Sequence, residues 1–169
     1  MSARIHTTDE EFFRRGRSFS AGIGPSPMPA SQLTTALITN PTSSGRLVVI
    51  TRLVLYMTVS TVATFRVNPT TGLPATAATI HNRFIGSSKL PVATVKIDGP
   101  TTTAMSGGTL MSGSTPLLAQ NVVYLEQPFL IEEGNALGIT ITNTAAGNAS
   151  GYLKFLWYED DQRTTEFTR

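Results

Sequence analysis

The 169-residue chain contains no cysteine and few charged residues. The absence of cysteine excludes disulfide bonds, thiolate metal sites and cysteine nucleophiles. Charged residues make up 14% of the sequence, against roughly 25% in an average soluble domain. Since a free monomer usually carries more charge, this deficit indicates that much of the polar surface contacts other protein surfaces.

Acidic residues are missing from a long central stretch. No Asp or Glu occurs between residues 21 and 97, whereas the same stretch holds the cations Arg46, Arg52, Arg66, Arg83, Lys89 and Lys96. The acids concentrate later in the chain, at positions 126, 132, 133 and 159–161. This polarity predicts either opposite charges presented to neighbouring subunits or scattered, solvated side chains. The net charge of +2 is too small to indicate nucleic-acid binding.

Long apolar runs are also missing. No segment reaches the roughly 18 apolar residues of a membrane span, so we expect no membrane association. The first 19 residues lack the apolar stretch of a signal peptide. Together with the missing cysteine, this pattern fits an intracellular assembly pathway.

Residues 1–30 differ from the rest and predict an extended N-terminal arm. The stretch from residue 21 to residue 29 is rich in Gly and Pro, which favours an extended chain. The arm carries three aromatic residues, so we expect it to dock on a neighbouring subunit through Phe12, Phe13, Arg14, Arg15, Arg17 and Phe19. Three acids precede the arginines and cancel much of their charge, which favours a protein partner over nucleic acid.

Residues 31–160 predict short strands separated by turns. The candidate strands are 33–39, 46–59, 62–67, 93–97, 122–125, 129–131, 136–142 and 151–158. Residues 75–85 are ambiguous, residues 98–100 predict a chain break, residues 101–116 an extended loop, and residues 161–169 an exposed tail. We therefore predict an all-β fold, an antiparallel β-sandwich of the jelly-roll type.

Candidates for chemistry are sparse. His81 could serve as a catalytic base, but no Gly-x-Ser-x-Gly sequence supplies a nucleophile, so a hydrolase using His81 is the least favoured alternative. Glu132 and Glu133 belong to a strand-ending turn, and adjacent strand residues point to opposite faces, which argues against a paired-carboxylate site. Phosphate-binding and EF-hand loops are not found. We expect no catalytic residue, no metal and no cofactor, hence a protein that is not an enzyme.

Two C-terminal segments carry a resemblance to a known family. Phe-Leu-Ile-Glu-Glu-Gly-Asn-Ala-Leu-Gly-Ile-Thr-Ile-Thr (129–142) and Ser-Gly-Tyr-Leu-Lys-Phe-Leu-Trp-Tyr-Glu (150–159) resemble the closing strands of the jelly-roll decoration, or cement, proteins of tailed bacteriophages. The run from residue 46 to residue 56 resembles their opening core strands. The resemblance spans residues 31–160 and is a pattern of strands and turns rather than a specific motif.

The resemblance implies a non-enzymatic virion protein. Such a protein is made in the host cytoplasm and forms a homotrimer on the capsid surface, where it binds and stabilises the shell of the major capsid protein. Two alternatives stay open. One is a phage fibre-head or receptor-binding module that uses loop 101–116, and the other is a small coat protein that forms the shell itself.

Overall fold

The computed structural model describes residues 15–111, 115–125 and 129–161, which form strands and no helix. The strands are β1 (Ser18–Met28), β2 (Leu33–Thr39), β3 (Arg46–Met57), β4 (Thr61–Val67), β5 (Ile80–Asn82), β6 (Thr94–Thr101), β7 (Thr109–Leu110), β8 (Thr115–Leu117), β9 (Val122–Leu125), β10 (Phe129–Ile131), β11 (Ala136–Asn143) and β12 (Ala149–Asp161). This part of the chain therefore contains no helix able to cross a membrane. The predicted all-β class is confirmed.

The strands build two antiparallel sheets that pack face to face. Sheet I has the order β10-β3-β12-β1-β5, and β9 also pairs with β3. Sheet II has the order β6-β2-β11-β4-β7, and β8 also pairs with β4. The predicted antiparallel β-sandwich is confirmed.

Partner strands are nested about the middle of the chain. β1 pairs with β12, β2 with β11, β3 with β9 and β10, and β4 with β7 and β8. The chain therefore follows the path of one long hairpin, rolled up so that β1 to β4 alternate between the two sheets. β5 and β6 extend the sheets beyond β1 and β2 at one edge.

The core lies between the sheets and is supplied by alternate residues of each strand. Ile139 and Ile141 of β11 face Phe155 and Trp157 of β12 across the interior, and all four are almost fully buried. Full burial of each such side chain stabilises the fold by about 1.5–3 kcal/mol. The prediction that Trp157 is a core residue is confirmed.

β1 lies inside sheet I, where the sequence predicted an arm. It pairs with β12 along most of its length, and Phe19 is 1% exposed with its ring centroid 5.8 Å from that of Trp157. The predicted boundary at residue 30 thus differs from the structure, since Phe19 fills the protein's own core. The prolines of β1 are tolerated because β5 pairs only with residues 19–21, and among the described strands no other one pairs with that side of β1.

The middle of the chain contains more strand than expected. β6 continues through the predicted break at residues 98–100, because β6 is an edge strand and an edge strand tolerates proline. The predicted loop 101–116 contains β7 and the start of β8, two short strands that pair with β4. β5 lies within the ambiguous segment 75–85.

The last strand is also longer than expected, since β12 continues to Asp161. Glu159, which belongs to the late cluster of acids, is 3% exposed. Its carboxylate accepts hydrogen bonds from the backbone N–H groups of Val92 (3.0 Å) and Ala93 (3.0 Å) and from Nε1 of Trp157 (3.2 Å). The charge is buried because three N–H donors replace its water. The rest of the predicted tail, residues 162–169, lies outside the described residues.

Candidate protein-binding surfaces

The outer face of sheet I is apolar and aromatic at positions where an exposed sheet is normally polar. On β3 the outward positions include Val49, Val54 and Tyr56, which alternate with the core residues of that strand. On β12 the outward positions next to them are Tyr152, Leu156 and Tyr158, which are half-buried. The rings of Tyr56 and Tyr152 are stacked, with centroids 5.4 Å apart.

The same face continues onto the two short strands at the edge. Val122 pairs with Tyr56, Tyr124 with Val54, and Leu130 with Val49, so all three point outward. Tyr124 is 55% exposed and Leu130 is 64% exposed. We call these residues of β3, β9, β10 and β12 the aromatic face. Its exposed part is formed by Val122, Tyr124 and Leu130, whereas Val49 and Val54 are buried. Exposed apolar clusters mark protein-interaction sites, at which tyrosine is enriched.

Positive charge accompanies the aromatic face. The guanidinium carbon of Arg52 lies 5.7 Å from the centroid of the Tyr124 ring, a cation–π contact. Lys154 pairs with Val54 near the middle of the face and is exposed. Asp160 also occupies an outward position of β12, but it lies at one end of that strand and not at the centre of the face. A partner that carries carboxylates therefore complements the centre of the face better than a cationic partner does.

The outer face of sheet II has a different character. Thr35, Thr140 and Thr64 form one cross-strand row on β2, β11 and β4. Pro69 and Met105 lie over Gly138, where an added Cβ would sit 2.8 Å from Pro69 and 3.0 Å from the Met105 sulfur. The chain thus covers part of sheet II with its own loops.

Comparison with protein-family models, curated proteins and solved structures found no match to this chain.

A cleft opens between the two sheets at the edge formed by β10 and β4. Its volume is about 410 Å³, and it is lined mainly by apolar side chains that include Val67, Met111, Phe129 and Leu137. Among the described residues, β10 pairs with three residues of β3 and β7 with two residues of β4. We call this the edge cleft. It exposes the side of the core to solvent.

One carboxylate stands at the edge cleft. Glu132 lines the cleft and is exposed, and its carboxylate has no hydrogen bond or ion pair among the described contacts. Its neighbour Glu133 accepts a hydrogen bond from the backbone N–H of Gly45. Gly134 has a φ of 73°, which confirms the turn predicted for this segment. The turn therefore leaves Glu132 available to a cationic partner.

Three of the six predicted arm residues are among the residues that the structure describes. Arg15 is exposed, and its carbonyl oxygen accepts a hydrogen bond from Nζ of Lys89 at 2.7 Å. Arg17 forms an ion pair with Asp161 at 2.8 Å, and Phe19 is in the core. The other three predicted residues, Phe12, Phe13 and Arg14, lie outside the described residues.

The ion pair ties the start of β1 to the end of β12. The hydrogen bond from Arg17 lowers the pKa of Asp161 below its ordinary value of 3.8, and the charges of Arg17 and Arg46 lower the pKa further. Arg46, at the start of β3, contacts the second carboxylate oxygen of Asp161. Asp161 therefore joins three neighbouring strands of sheet I. Arg17 acts within the subunit here, although the sequence predicted that it would bind a partner.

His81 lies on β5 and is exposed. Ser20 is its cross-strand neighbour, but the described contacts include no hydrogen bond between the two side chains. The described residues that line the shallow depression around both include Lys154 and no carboxylate. Among the described residues, no group of three His, Asp or Glu side chains is arranged to hold a metal ion. A base without a bonded nucleophile or an orienting acid does not form a catalytic triad.

One pattern in the sequence corresponds to the aromatic face. Residues 46–57 are apolar at both alternating sets of positions, and a strand with such a run is covered on both sides. One side of β3 is covered by sheet II. On the other side Val49 and Val54 are 4% and 9% exposed, and the exposed apolar residues of the face are Val122, Tyr124 and Leu130.

Proposed function

We propose that this protein is a non-enzymatic virion structural protein, a capsid decoration protein that binds the shell of major capsid protein through its aromatic face. It acts as a homotrimer on the capsid surface and increases the stability of the shell. The single observation that supports this role best is the aromatic face, because a protein that functioned alone would expose a polar sheet there.

The path of the chain supports the narrower fold assignment, a jelly roll. A jelly roll is a two-sheet antiparallel fold that contains two Greek keys. The nested partners of β1 to β4, and their alternation between the sheets, are the pairing expected when one long hairpin is rolled into such a fold. The fold alone does not decide function, so the proposal depends on the surfaces.

The charge of the aromatic face specifies the partner surface. Arg52 and Lys154 lie near its centre, and like charges placed opposite one another are unfavourable. Two copies of this face therefore do not pack symmetrically on each other. A shell surface with carboxylates and apolar residues satisfies both the charge and the aromatic rings.

A binding assay on shells tests this proposal with two matched lysines. Lys154→Glu reverses a charge on the aromatic face, and Lys96→Glu reverses one on the outer face of sheet II; both lysines are exposed on strands. Shells of the encoding virus that lack this protein are titrated with each variant. We expect Lys154→Glu to weaken binding at least about tenfold, which is about 1.4 kcal/mol, and Lys96→Glu to leave it unchanged.

Shell stability supplies the functional readout. Wild-type protein should raise the temperature at which the shells lose their integrity, and the increase should follow the fraction of sites occupied. Equal losses for the two lysine variants would remove the aromatic face from the interface. Absence of wild-type binding to shells, combined with binding to cell-surface glycans, would replace decoration with the receptor-binding function.

A further inference from the structure

We propose that the shallow depression on the outer face of sheet I is a carboxylate-binding site that receives an acidic side chain of the shell protein. The depression lies over β1, between β12 and β5, and its described lining includes Ser20, Gly22, Gly24, His81 and Lys154. We call it the β1 depression. This inference rests on the proposed function, because it names the kind of side chain that the shell protein places beside the aromatic face.

Glycines of β1 form the floor of the depression. Ala21 lies in the core and Ile23 packs against it, so Gly22 and Gly24 lie on the outer side of the strand, where both are exposed. A Cβ at Gly22 would lie 2.4 Å from the carbonyl oxygen of Leu153, whereas a Cβ at Gly24 would meet no atom within 4 Å. The space above Gly24 is therefore open. The volume of the depression is about 330 Å³, within the range of about 300–1,000 Å³ that is typical of ligand sites.

A buried hydroxyl group belongs to the same floor. Ser20 pairs with Leu156 of β12, which is an outward residue, and with His81 of β5, so Ser20 also points to the outer side. Ser20 is nevertheless only 7% exposed, and its hydroxyl has no hydrogen bond among the described contacts. The large majority of buried polar side-chain atoms have a hydrogen-bond partner. The Ser20 hydroxyl is therefore available to donate to a ligand that enters the depression.

The charge of the depression favours a carboxylate. Lys154 pairs with Gly22, so its cationic side chain starts beside the floor, and His81 lines the depression from β5. The described lining includes no Asp or Glu that would neutralise the lysine. Ser20, His81 and Lys154 each offer a hydrogen-bond donor, and hydrogen bonds to an ionised acceptor are roughly twice as strong as neutral ones. One lysine balances the single charge of a carboxylate, whereas a phosphate ester carries about 1.5 to 2 negative charges.

The position of the depression indicates the source of the carboxylate. Tyr152 belongs both to the lining of the depression and to the aromatic face, and Lys154 lies near the middle of that face. A protein that covers the aromatic face therefore also extends over the β1 depression, where one of its carboxylates pairs with Lys154. The competing source is the chain's own acidic run of Asp9, Glu10 and Glu11, which lies outside the described residues.

Filling the depression tests the contact on shells of the encoding virus that lack this protein. Gly24→Leu places a side chain in the open space, and Gly147→Leu, in the turn between β11 and β12, is the matched control because its Cβ also meets no atom within 4 Å. We expect Gly24→Leu and Ser20→Ala each to weaken shell binding at least about tenfold, and Gly147→Leu to leave it unchanged. Equal binding by the two leucine variants would overturn the inference, and the proposed function would stand if Lys154→Glu still weakened binding.

A soluble carboxylate tests the site without shells. Propionate is titrated into the full-length protein, and the amide resonance of Gly24 and the ring resonances of His81 are followed by NMR. We expect saturable shifts in the wild type, no such shifts of the His81 ring in Gly24→Leu, and at least about tenfold weaker binding of the neutral analogue propionamide. Absence of a saturable shift with propionate, or equal binding of propionamide, would overturn the inference.

The chain's own acids are tested in the same titration. Asp9→Asn/Glu10→Gln/Glu11→Gln protein should bind propionate with the affinity of the wild type. Binding at least about tenfold tighter in this triple variant would show that an acid of the same chain occupies the depression, and it would overturn the inference. Propionate binding by the wild type without any binding to shells would instead refute the proposed function and leave the carboxylate-binding site standing.

Discussion

The carboxylate of Glu159 allows a quantitative prediction about the fold. Glu159→Ala removes the acceptor of three N–H groups, two of which belong to the fully buried residues Ala93 and Trp157. Each buried donor left without an acceptor costs about 1–3 kcal/mol, and the pair therefore costs about 2–6 kcal/mol. Because the variant no longer has to bury a carboxylate, we expect the lower part of this range, about 2–4 kcal/mol.

Such a loss is a large share of the free energy of unfolding of an ordinary domain, about 5–15 kcal/mol. For a chain of this length each kcal/mol lowers the melting temperature by about 2–4 °C, so Glu159→Ala should melt about 4–16 °C below the wild type. The melting temperature of Glu159→Gln should lie between those of the wild type and Glu159→Ala. Its amide oxygen can accept a hydrogen bond, but its amide nitrogen faces N–H donors.

Urea unfolding followed by tryptophan fluorescence measures this effect, because Trp157 is the single tryptophan and is itself a donor to Glu159. Lys96→Ala is the control, since that side chain is exposed on β6 and lies outside both candidate surfaces; its change should stay within about 0.5 kcal/mol. Equal stabilities of the Glu159→Ala and Lys96→Ala variants would refute the reasoning. Hydrogen exchange at Val92 and Ala93 should rise in the Glu159 variant alone.

Two further predictions concern pH and the backbone. The pKa of Asp98 lies below its ordinary value of 3.8, chiefly because of the side-chain hydrogen bond of Thr76. Above pH 3.8 the wild type should therefore be more stable than Asp98→Asn. This difference in stability should vanish as the pH falls through the folded-state pKa of Asp98. Urea midpoints across this range check it, and a difference that persists in acid would contradict it. Gly108→Ala should destabilise by about 1–3 kcal/mol, because φ is +61° and a Cβ would overlap the carbonyl oxygen of Val67. In Gly147→Ala the added Cβ meets no atom within 4 Å, so that control should unfold at or slightly above the wild-type midpoint, and equal losses in the two variants would contradict the backbone explanation.

Local patterns were sufficient for most of the strands. Alternation of apolar and polar residues predicted β11 and the middle of β12, and turn residues marked the connection between β10 and β11. The bounds 33–39, 122–125 and 129–131 agree with β2, β9 and β10. These features were accessible because the side-chain period of a strand and the backbone preferences of Gly and Asn are properties of a few neighbouring residues.

The candidate surfaces were only partly accessible to sequence reasoning. The low charge indicated contacts with other proteins, but the strand predicted at residues 46–59 carried no indication of which side would be exposed. Nothing local indicated that Val122, Tyr124 and Leu130 extend that face, because their strands pair with β3 from positions about 70–80 residues away. The edge cleft likewise brings together residues of β4, β10 and β11, and no pattern within one strand specifies that arrangement.

The class of fold, the bounds of most strands and the inward side of β11 follow from local patterns, since each depends on interactions along a short stretch of chain. The burial of Phe19 and of Glu159 follows only from the folded arrangement of the strands. Each depends on distant partners: the pairing of β1 with β12 places Phe19 beside Trp157, and residues 92 and 93 supply donors to Glu159. Prolines predicted an arm and charge predicted a tail, but the pairing of β1 with β12 and three N–H donors outweighed those local preferences.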